Sequence, residues 1–326
     1  MIFALSVSGP TASGKTAVSI ELAKHFGGEV IGCDSMQIYR EMSIGTAKPT
    51  VSEMSGVPHH LIDFLSPEES FSVERYRSMA MCAANDITKR GRLPIIVGGT
   101  GLYLDSLLRD PACSPESNPE YRDRLLGEIK SAEDTYALWE RLNAVDPESA
   151  AKINKNNVKR VIRALEIYET TGRKKSELDK ETRKSSSDIL VGMITVDFHD
   201  RENLYRRADE RVDIMLREGL LEETESLYKR GFLNGNTTAS AAIGYKELLT
   251  YIRGEKTLCE ATEDLKTATR RYAKRQLTWF RRYPDALRLY PDGEDGVMKD
   301  YDTIIREAQA LAERLIENNK ALIAER

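Results

Sequence analysis

Residues 1–22 read MIFALSVSGPTASGKTAVSIEL, and this stretch decides the fold. Residues 2–7 are a short apolar run suited to a buried strand, and residues 9–16 fit G-x-x-x-x-G-K-[ST]. Val18, Leu22, Ala23 and Phe26 then recur at helical spacing, so the loop lies between a strand and a helix. Gly9 and Gly14 permit backbone angles and a close approach that a Cβ would obstruct. Successive N–H groups and a helix N-terminus then face an anion. Lys15 adds a flexible positive charge, and the Thr16 hydroxyl is of the type that ligates Mg²⁺ beside phosphates. An ordinary Gly/Ser turn before a helix is the bland alternative; motif, strand and helix in sequence disfavour it. A diphosphate binds here, and the motif alone does not say whose.

At 326 residues the chain has room for one large α/β domain and a smaller one. Its net charge of −4 argues against a nucleic-acid binder as a whole, though a sum can hide a basic face. Cys33, Cys82, Cys113 and Cys259 show no C-x-x-C pairing, which fits reduced thiols rather than a disulfide frame or zinc site. No basic segment precedes the N-terminal apolar run, and no stretch approaches transmembrane length. The expectation is a soluble cytoplasmic protein with no membrane partner, acting as a monomer.

Three β-like runs fall early, "IFALSV", "EVIGCD" and "LPIIVGG", with helical patterns between them; a fourth, "ILVGMITVDF", comes only near residue 190. This alternation predicts an α/β fold, a P-loop parallel sheet covered by helices. Ligands of such sheets lie at the carboxyl ends of the strands. Asp34 and the Gly98-Gly99-Thr100 segment should therefore share an edge with the phosphate loop. Residues 112–187 show no convincing strand and read as an inserted all-helical subdomain, with turns at Asn118-Pro119 and Asp146-Pro147. "KKSELDKETRKSSSD" at its end is polar and turn-rich, an exposed segment that would let the insertion move. The expected organisation is a first part of the core over 1–111, the insertion over 112–187, a second part of the core over 188–290, and a helical tail over 291–326. Beyond Asp200 the chain reads as almost wholly helical.

One of those C-terminal helices carries an unusual charge pattern. At about 100° per residue, Arg270, Arg271, Lys274, Arg275, Arg281 and Arg282 fall within an arc of about 140°, opposite Tyr272, Ala273, Leu277, Trp279 and Phe280. Between residues 270 and 282 the arc contains no carboxylate, whereas solvated helix faces usually mix signs. It predicts an RNA or phosphate contact. Arg211, at the edge of a stripe of Leu204, Ala208, Val212 and Met215, needs an anion: a buried carboxylate or a bound diphosphate. Asp34 ends the strand after the P-loop helix, where small P-loop kinases face their acceptor substrate. It reads as a base rather than a metal ligand, with capping of the next turn as the plain alternative. His59 and His60 are adjacent and point in different directions, so no metal is assigned to them.

The segments "GPTASGKT", "CDSMQIYREMSIGTAKPT", "PHHLIDFLSPEESFS", "IIVGGTGLYLDSLL", "NVKRVIRALEIYETTGR", "LYRRADERVDIMLREGLLEE", "AIGYKEL" and "TRRYAKRQLTWFRR", in this order up to about residue 290, together resemble the bacterial tRNA dimethylallyltransferase family. The resemblance implies that the phosphates belong to dimethylallyl diphosphate. The acceptor it implies is the exocyclic amine of the adenine immediately 3′ of a tRNA anticodon, with Mg²⁺ as cofactor and the anticodon stem-loop as partner. On matching positions, Asp34 takes the base or amine-orienting role, joined by Thr100, Lys15 and Arg211 as catalytic residues. Gly9, Pro10, Thr11, Ala12, Ser13, Gly14, Lys15, Thr16 and Arg211 hold the diphosphate, and Thr16 the metal. Asp34, Ser35, Met36, Gln37, Thr100, Arg122, Lys159, Arg160, Val161, Ile162 and Arg163 correspond to tRNA-contacting places, as do Ala268, Thr269, Arg270, Arg271, Lys274 and Arg275. The family usually has a long polar side chain just before "AIGYK"; here Ala241 stands there.

Three rivals share parts of this pattern. A nucleotide or small-molecule kinase uses the same loop but needs no tRNA-sized basic surface. An isopentenyltransferase acting on free adenylate would not need the long insertion or the basic helix. A GTP-gated RNA-binding switch would need an N-K-x-D segment, and the chain has none.

Overall fold

In the computed structural model, residues 1–108, 118–182, 188–234 and 238–324 are described; Cys113 and the boundary expected near 111–112 lie outside them. The strands are β1 (Ile2–Ser8), β2 (Gly28–Gly32), β3 (His59–His60), β4 (Leu93–Gly98), β5 (Ile189–Val196) and β6 (Leu287–Leu289). They form one sheet in the order β3-β2-β4-β1-β5-β6, parallel at every ladder. β1 lies inside it, with Leu5 beside Ile95 on one flank and Gly192 on the other. That position explains its largely apolar sequence, because a strand covered on both faces has no polar side to show; the buried Ser6 and Ser8 hydroxyls bond to each other at 2.7 Å.

Helices α1 (Lys15–Phe26), α2 (Val51–Met54), α3 (Val73–Lys89) and α4 (Gly101–Leu107) precede the insertion. The insertion is built of α5 (Pro119–Glu128), α6 (Ala132–Val145), α7 (Pro147–Lys152), α8 (Val158–Thr171) and α9 (Lys175–Thr182). After it come α10 (Arg201–Arg217), α11 (Leu220–Lys229), α12 (Tyr245–Ile252), α13 (Leu258–Phe280) and α14 (Tyr301–Ala324). Two compact units result, Met1–Leu107 with Asp188–Arg326, and Leu108–Ser187.

In the larger unit Phe3, Leu5 and Val7 of β1 pack with Val18 and Leu22 of α1, Ile95 and Ile194 of the flanking strands, and Ala308 and Ala312 of α14. Fully burying a valine, leucine or isoleucine in this cluster contributes about 1.5–3 kcal/mol. A second cluster joins Ile38, Tyr39 and Met42 to Val212, Leu220, Leu248 and Leu265 of the C-terminal helices. The residues after β2 are thereby anchored to α10–α13.

The structure corrects the sequence reading in one place and refines it in two. The chain after Asp200, almost wholly helical as expected, also contributes β6, which extends the sheet beside β5. The polar stretch from residue 174 is not an open linker, since α9 occupies it as far as Thr182, fixed by Ser176, whose N–H and hydroxyl donate to Asp146; residues 183–187 lie outside the described ones. The expected turns at Asn118 and Asp146 are helix N-caps, whose side chains accept from Tyr121 and Ser149 N–H groups. A proline in the first turn of a helix looks like a turn signal in sequence, because its missing N–H is tolerated in both places. Among the described residues no helix is long and apolar enough to cross a membrane.

Candidate active site

The phosphate loop follows β1. Gly14 holds φ at 86° and starts α1 with no side-chain cap, so the helix's first N–H groups stay open toward the loop. Ala12 is also left-handed, at φ 62°, an unfavourable setting for a residue with a Cβ. Its carbonyl accepts from Arg207 Nε at 2.9 Å. Lys15 Nζ donates to the Pro10 carbonyl at 3.1 Å, and the Thr11 N–H donates to Gln276 Oε1 at 2.8 Å. The Ser13 hydroxyl is buried without a hydrogen-bond partner among the described residues.

Positive charge in this cradle is underanswered. Burial pushes Lys15 down to about 8, the neighbouring Arg211 adds to the fall, and Asp34 opposes it. Arg211 is lowered too, by burial first, with Asp34 again working against the shift and Arg207 with it. Arg211 Nε is buried with no hydrogen-bond partner among the described residues. The alternative of a buried salt bridge for Arg211 thus finds no contact to support it, and a bound anion is the partner that fits.

The acceptor side is set by two strand ends. Cys33 N–H donates to Val97 O, and Thr100 N–H donates to Cys33 O. A Cβ on Gly98 would lie 2.0 Å from the Cys33 carbonyl, so only glycine allows this approach. Ser35 N–H then donates to Thr100 Oγ1 at 3.0 Å. Asp34 Oδ1 accepts from Met36 N–H at 2.9 Å and Gln37 N–H at 3.4 Å. One oxygen of Asp34 therefore caps the turn, while no donor among the described residues takes Oδ2. Gln37 turns its amide NH₂ to the carbonyls of Thr46 and Ala47, and Met36 packs against the second core cluster.

The expected basic arc is corrected by its neighbours. Arg270 is held by both oxygens of Asp209 on α10, and Lys266 by Asp213. Helix α13 ends at Phe280. Beyond it Arg281 pairs with Asp197, and Arg282 with Asp105 while lying over the Trp279 ring. The carboxylates come from other elements, so a projection of one helix cannot show them. Arg271, Lys274 and Arg275 remain exposed. A cavity of about 460 Å³ beside them is lined by Arg271 and Arg275 together with Lys246, Glu247, Thr250 and Asp264. Ala268 lines it as well, whereas Thr269 is buried and donates to Leu265 O. Ala241 is exposed.

Three residues of the site were missed in the sequence. Gln276 joins the phosphate loop to Gly99, Arg207 grips the loop from α10, and the Tyr272 hydroxyl meets Thr100 near Asp34. A signal existed for two of them. Gln276 is polar on the stripe of Ala273, Leu277 and Phe280, and Arg207 lies one helical turn before Arg211.

The insertion, taken by itself, buries Glu166 completely. The carboxylate accepts from Arg122 Nε and Arg163, both at 2.8 Å, and from Asn118 N–H. These donors hold it below the usual carboxylate range against the cost of burial. Val161 and Ile162 do not reach the surface but sit in the insertion's own core, because they lie on the apolar stripe of α8. Lys159 and Arg160 are exposed.

The donor set suits Mg²⁺ held between a substrate and a single protein ligand. The Thr16 hydroxyl in the first turn of α1 is a hard oxygen donor with no hydrogen-bond partner among the described residues. No group of three or more His, Cys, Asp or Glu among those residues forms a cation cage. Mg²⁺ commonly binds this way, through one or two protein oxygens plus substrate phosphates.

A family model described as IPP transferase matches residues 37–283. The tRNA dimethylallyltransferase of Geobacillus thermodenitrificans is 50% identical over 277 residues, 84% of this chain and 86% of that protein. That of Bacillus cereus strain AH187 is 45% identical over 96% of both chains. Among solved structures, the full-length tRNA isopentenylpyrophosphate transferase of Bacillus halodurans aligns with a TM-score of 0.73 at 41% identity, covering 99% of this chain and 100% of that one. A eukaryotic dimethylallyltransferase acting on tRNA aligns with a TM-score of 0.78 at 31% identity, covering 100% and 80%. A match of this extent, on a phosphate loop whose cations lack a contacting carboxylate among the described residues, places the chain in the tRNA dimethylallyltransferase family, prenyltransferases that modify the anticodon-adjacent adenine of tRNA.

Proposed function

We propose that residues 9–16 hold the diphosphate of dimethylallyl diphosphate, with Lys15, Arg211 and Arg207 as its cationic clamp, and that Asp34 acts on the acceptor amine. The observation that carries this reading is the pair Lys15 and Arg211, sharing one cradle with no carboxylate in contact among the described residues. An aromatic amine is a weak nucleophile, so the allylic carbon has to become strongly electrophilic. The amine nitrogen forms a bond to that carbon as the carbon–oxygen bond to diphosphate breaks, and the bonding pair leaves with the diphosphate. Lys15, Arg211 and the loop N–H groups stabilise the charge that grows there. Bound Mg²⁺, held by Thr16 and the diphosphate, would add Lewis-acid stabilisation of the leaving group. Asp34 Oδ2 orients the amine and takes its proton, and the Thr100 hydroxyl fixes the turn that carries Asp34.

The adenine reaches such a cleft only outside its stack, so it is flipped from the anticodon loop. Arg271, Lys274 and Arg275 of α13 contact the RNA, as do Lys159 and Arg160 of α8. The protein acts as a cytoplasmic monomer on the anticodon stem-loop. Incubation with Mg²⁺, unmodified tRNA and either labelled dimethylallyl diphosphate or labelled ATP tests the reading. Label in tRNA from the prenyl donor alone is expected; phosphate transfer from ATP contradicts it.

A further inference from the structure

We propose that Gln276 is a positioning residue that sets the spacing between the diphosphate loop and the Gly99–Thr100 loop, and so ties the geometry of both substrates to helix α13. This rests on the donor and acceptor roles given above to the two loops. The Gln276 side chain is buried, with 5% of the residue exposed. Its Oε1 accepts the Thr11 N–H at 2.8 Å, and its Nε2 donates to the Gly99 carbonyl at 2.9 Å. One planar amide thus bridges the loop after β1 and the loop after β4. The two partners fix its orientation, because an N–H can only donate and a carbonyl only accept.

The fit around this bridge is close. A Cβ on Gly99 would lie 2.1 Å from Gln276 Nε2, and a Cβ on Gly101 would lie 2.2 Å from the Trp279 ring. Residues 276 and 279 sit one turn apart on α13, so the helix is keyed twice into the loop that carries Thr100. The same helix exposes Arg271, Lys274 and Arg275, and a rigid rod therefore links the cationic surface to the Thr11 N–H. At neutral pH the nearest replacements do not match the bridge. Glutamate would present an acceptor to the Gly99 carbonyl, asparagine is one methylene too short, and methionine would leave both backbone groups unpaired.

Gln276→Glu and Gln276→Met, measured against wild type from pH 5.5 to 8.5, test the proposal. The other titratable and charged groups around these loops, Lys15, Arg207, Arg211, Asp34, Cys33 and Tyr272, are common to all three proteins, so the ratio of variant to wild type isolates position 276. At pH 8 both variants should lose on the order of 10²-fold in kcat, as misplacement of a reacting group by about 1 Å does. Their affinity for tRNA should stay within about twofold, since the Gln276 side chain is buried. The glutamate variant should recover as pH falls, because a protonated carboxyl can again donate to Gly99 while accepting from Thr11; the methionine variant should not. Should the glutamate variant fail to fold, the kcat of the methionine variant decides alone. A normal kcat in a folded Gln276→Met protein, even one with a lowered Tm, overturns the proposal, as does a pH-independent loss in Gln276→Glu. Lys15→Ala run alongside separates the two levels. If it leaves donor KM unchanged, the diphosphate reading fails; if it raises donor KM while both Gln276 variants are normal, only the bridge fails.

Discussion

Glu166 in the insertion and the phosphate loop in the core show opposite treatments of buried charge. Around Glu166 two arginines and a backbone N–H converge on one carboxylate, and every party finds its partner within the unit. In the phosphate loop Lys15 and Arg211 have no carboxylate in contact among the described residues, and burial lowers both. The first arrangement is complete and contributes to folding. The second would be completed by the bound diphosphate proposed above. The same division runs along the C-terminal helices, where Arg270 is answered by Asp209 while Arg271 and Arg275 face solvent. Charge that a fold leaves unanswered is a better guide to function here than charge as such.

The largest effect should come from Asp34→Ala. Loss of a general base typically costs about 10²–10⁴ in rate, and transfer at saturating substrates should fall by that much. Retained turnover with abolished donor binding would instead make Asp34 a ligand of the diphosphate or its metal.

The contrast between the two units sharpens with a pair of arginine variants. Arg211→Ala should lower kcat/KM for the donor by about 10²–10³, the usual cost of removing one group that stabilises transition-state charge. Its stability should hold, because no contacting partner is orphaned. Arg122→Ala should do the reverse, leaving donor kinetics normal while the less-compensated Glu166 lowers stability by about 1–3 kcal/mol. Kinetics and thermal unfolding of both variants check this, and matching profiles would erase the distinction.

Lys15 supplies the pH dependence. In the free protein it is about half protonated near pH 8, and a bound diphosphate favours the charged form. Binding above that pH has to take up a proton, so donor affinity should weaken as pH rises through 8, approaching about tenfold per pH unit. A flat profile from pH 7 to 9.5 would mean that Lys15 stays charged without its ligand.

The smallest effect concerns RNA. Arg271→Ala with Arg275→Ala should flatten the salt dependence of tRNA binding, by about 0.7–0.9 in log–log slope for each phosphate no longer neutralised. Donor binding should be unchanged. Arg270→Ala should leave the slope alone, since its charge is already engaged by Asp209. Equal slopes in all three proteins would reduce Arg271 and Arg275 to a solvated face.

What the sequence made legible was local. The phosphate loop is contiguous, and the four long apolar strands carry enough residues to announce themselves. β3 and β6 have two and three residues, too few for any periodicity, and exist because longer strands beside them offer an open edge. α9 hides in polar sequence because a single leucine, Leu178, is its buried apolar residue. The pairing of Arg270 with Asp209 spans 61 residues, so a helix projection showed a bare arginine where the fold supplies a partner. Gln276 was half legible: a polar residue on an apolar stripe must be satisfied, but Thr11 and Gly99 could be named only once the loops were in place.

The most direct test of the account is equilibrium binding of dimethylallyl diphosphate, with Mg²⁺, to wild type, Arg211→Ala and Asp34→Ala. If the cradle's unanswered cations hold the donor and Asp34 serves the acceptor, Arg211→Ala should weaken binding by about 10–100-fold, as removal of a charge-assisted hydrogen bond does. Asp34→Ala should bind at least as tightly as wild type, because a carboxylate near the diphosphate has been removed. Normal binding by Arg211→Ala together with abolished binding by Asp34→Ala would contradict the account.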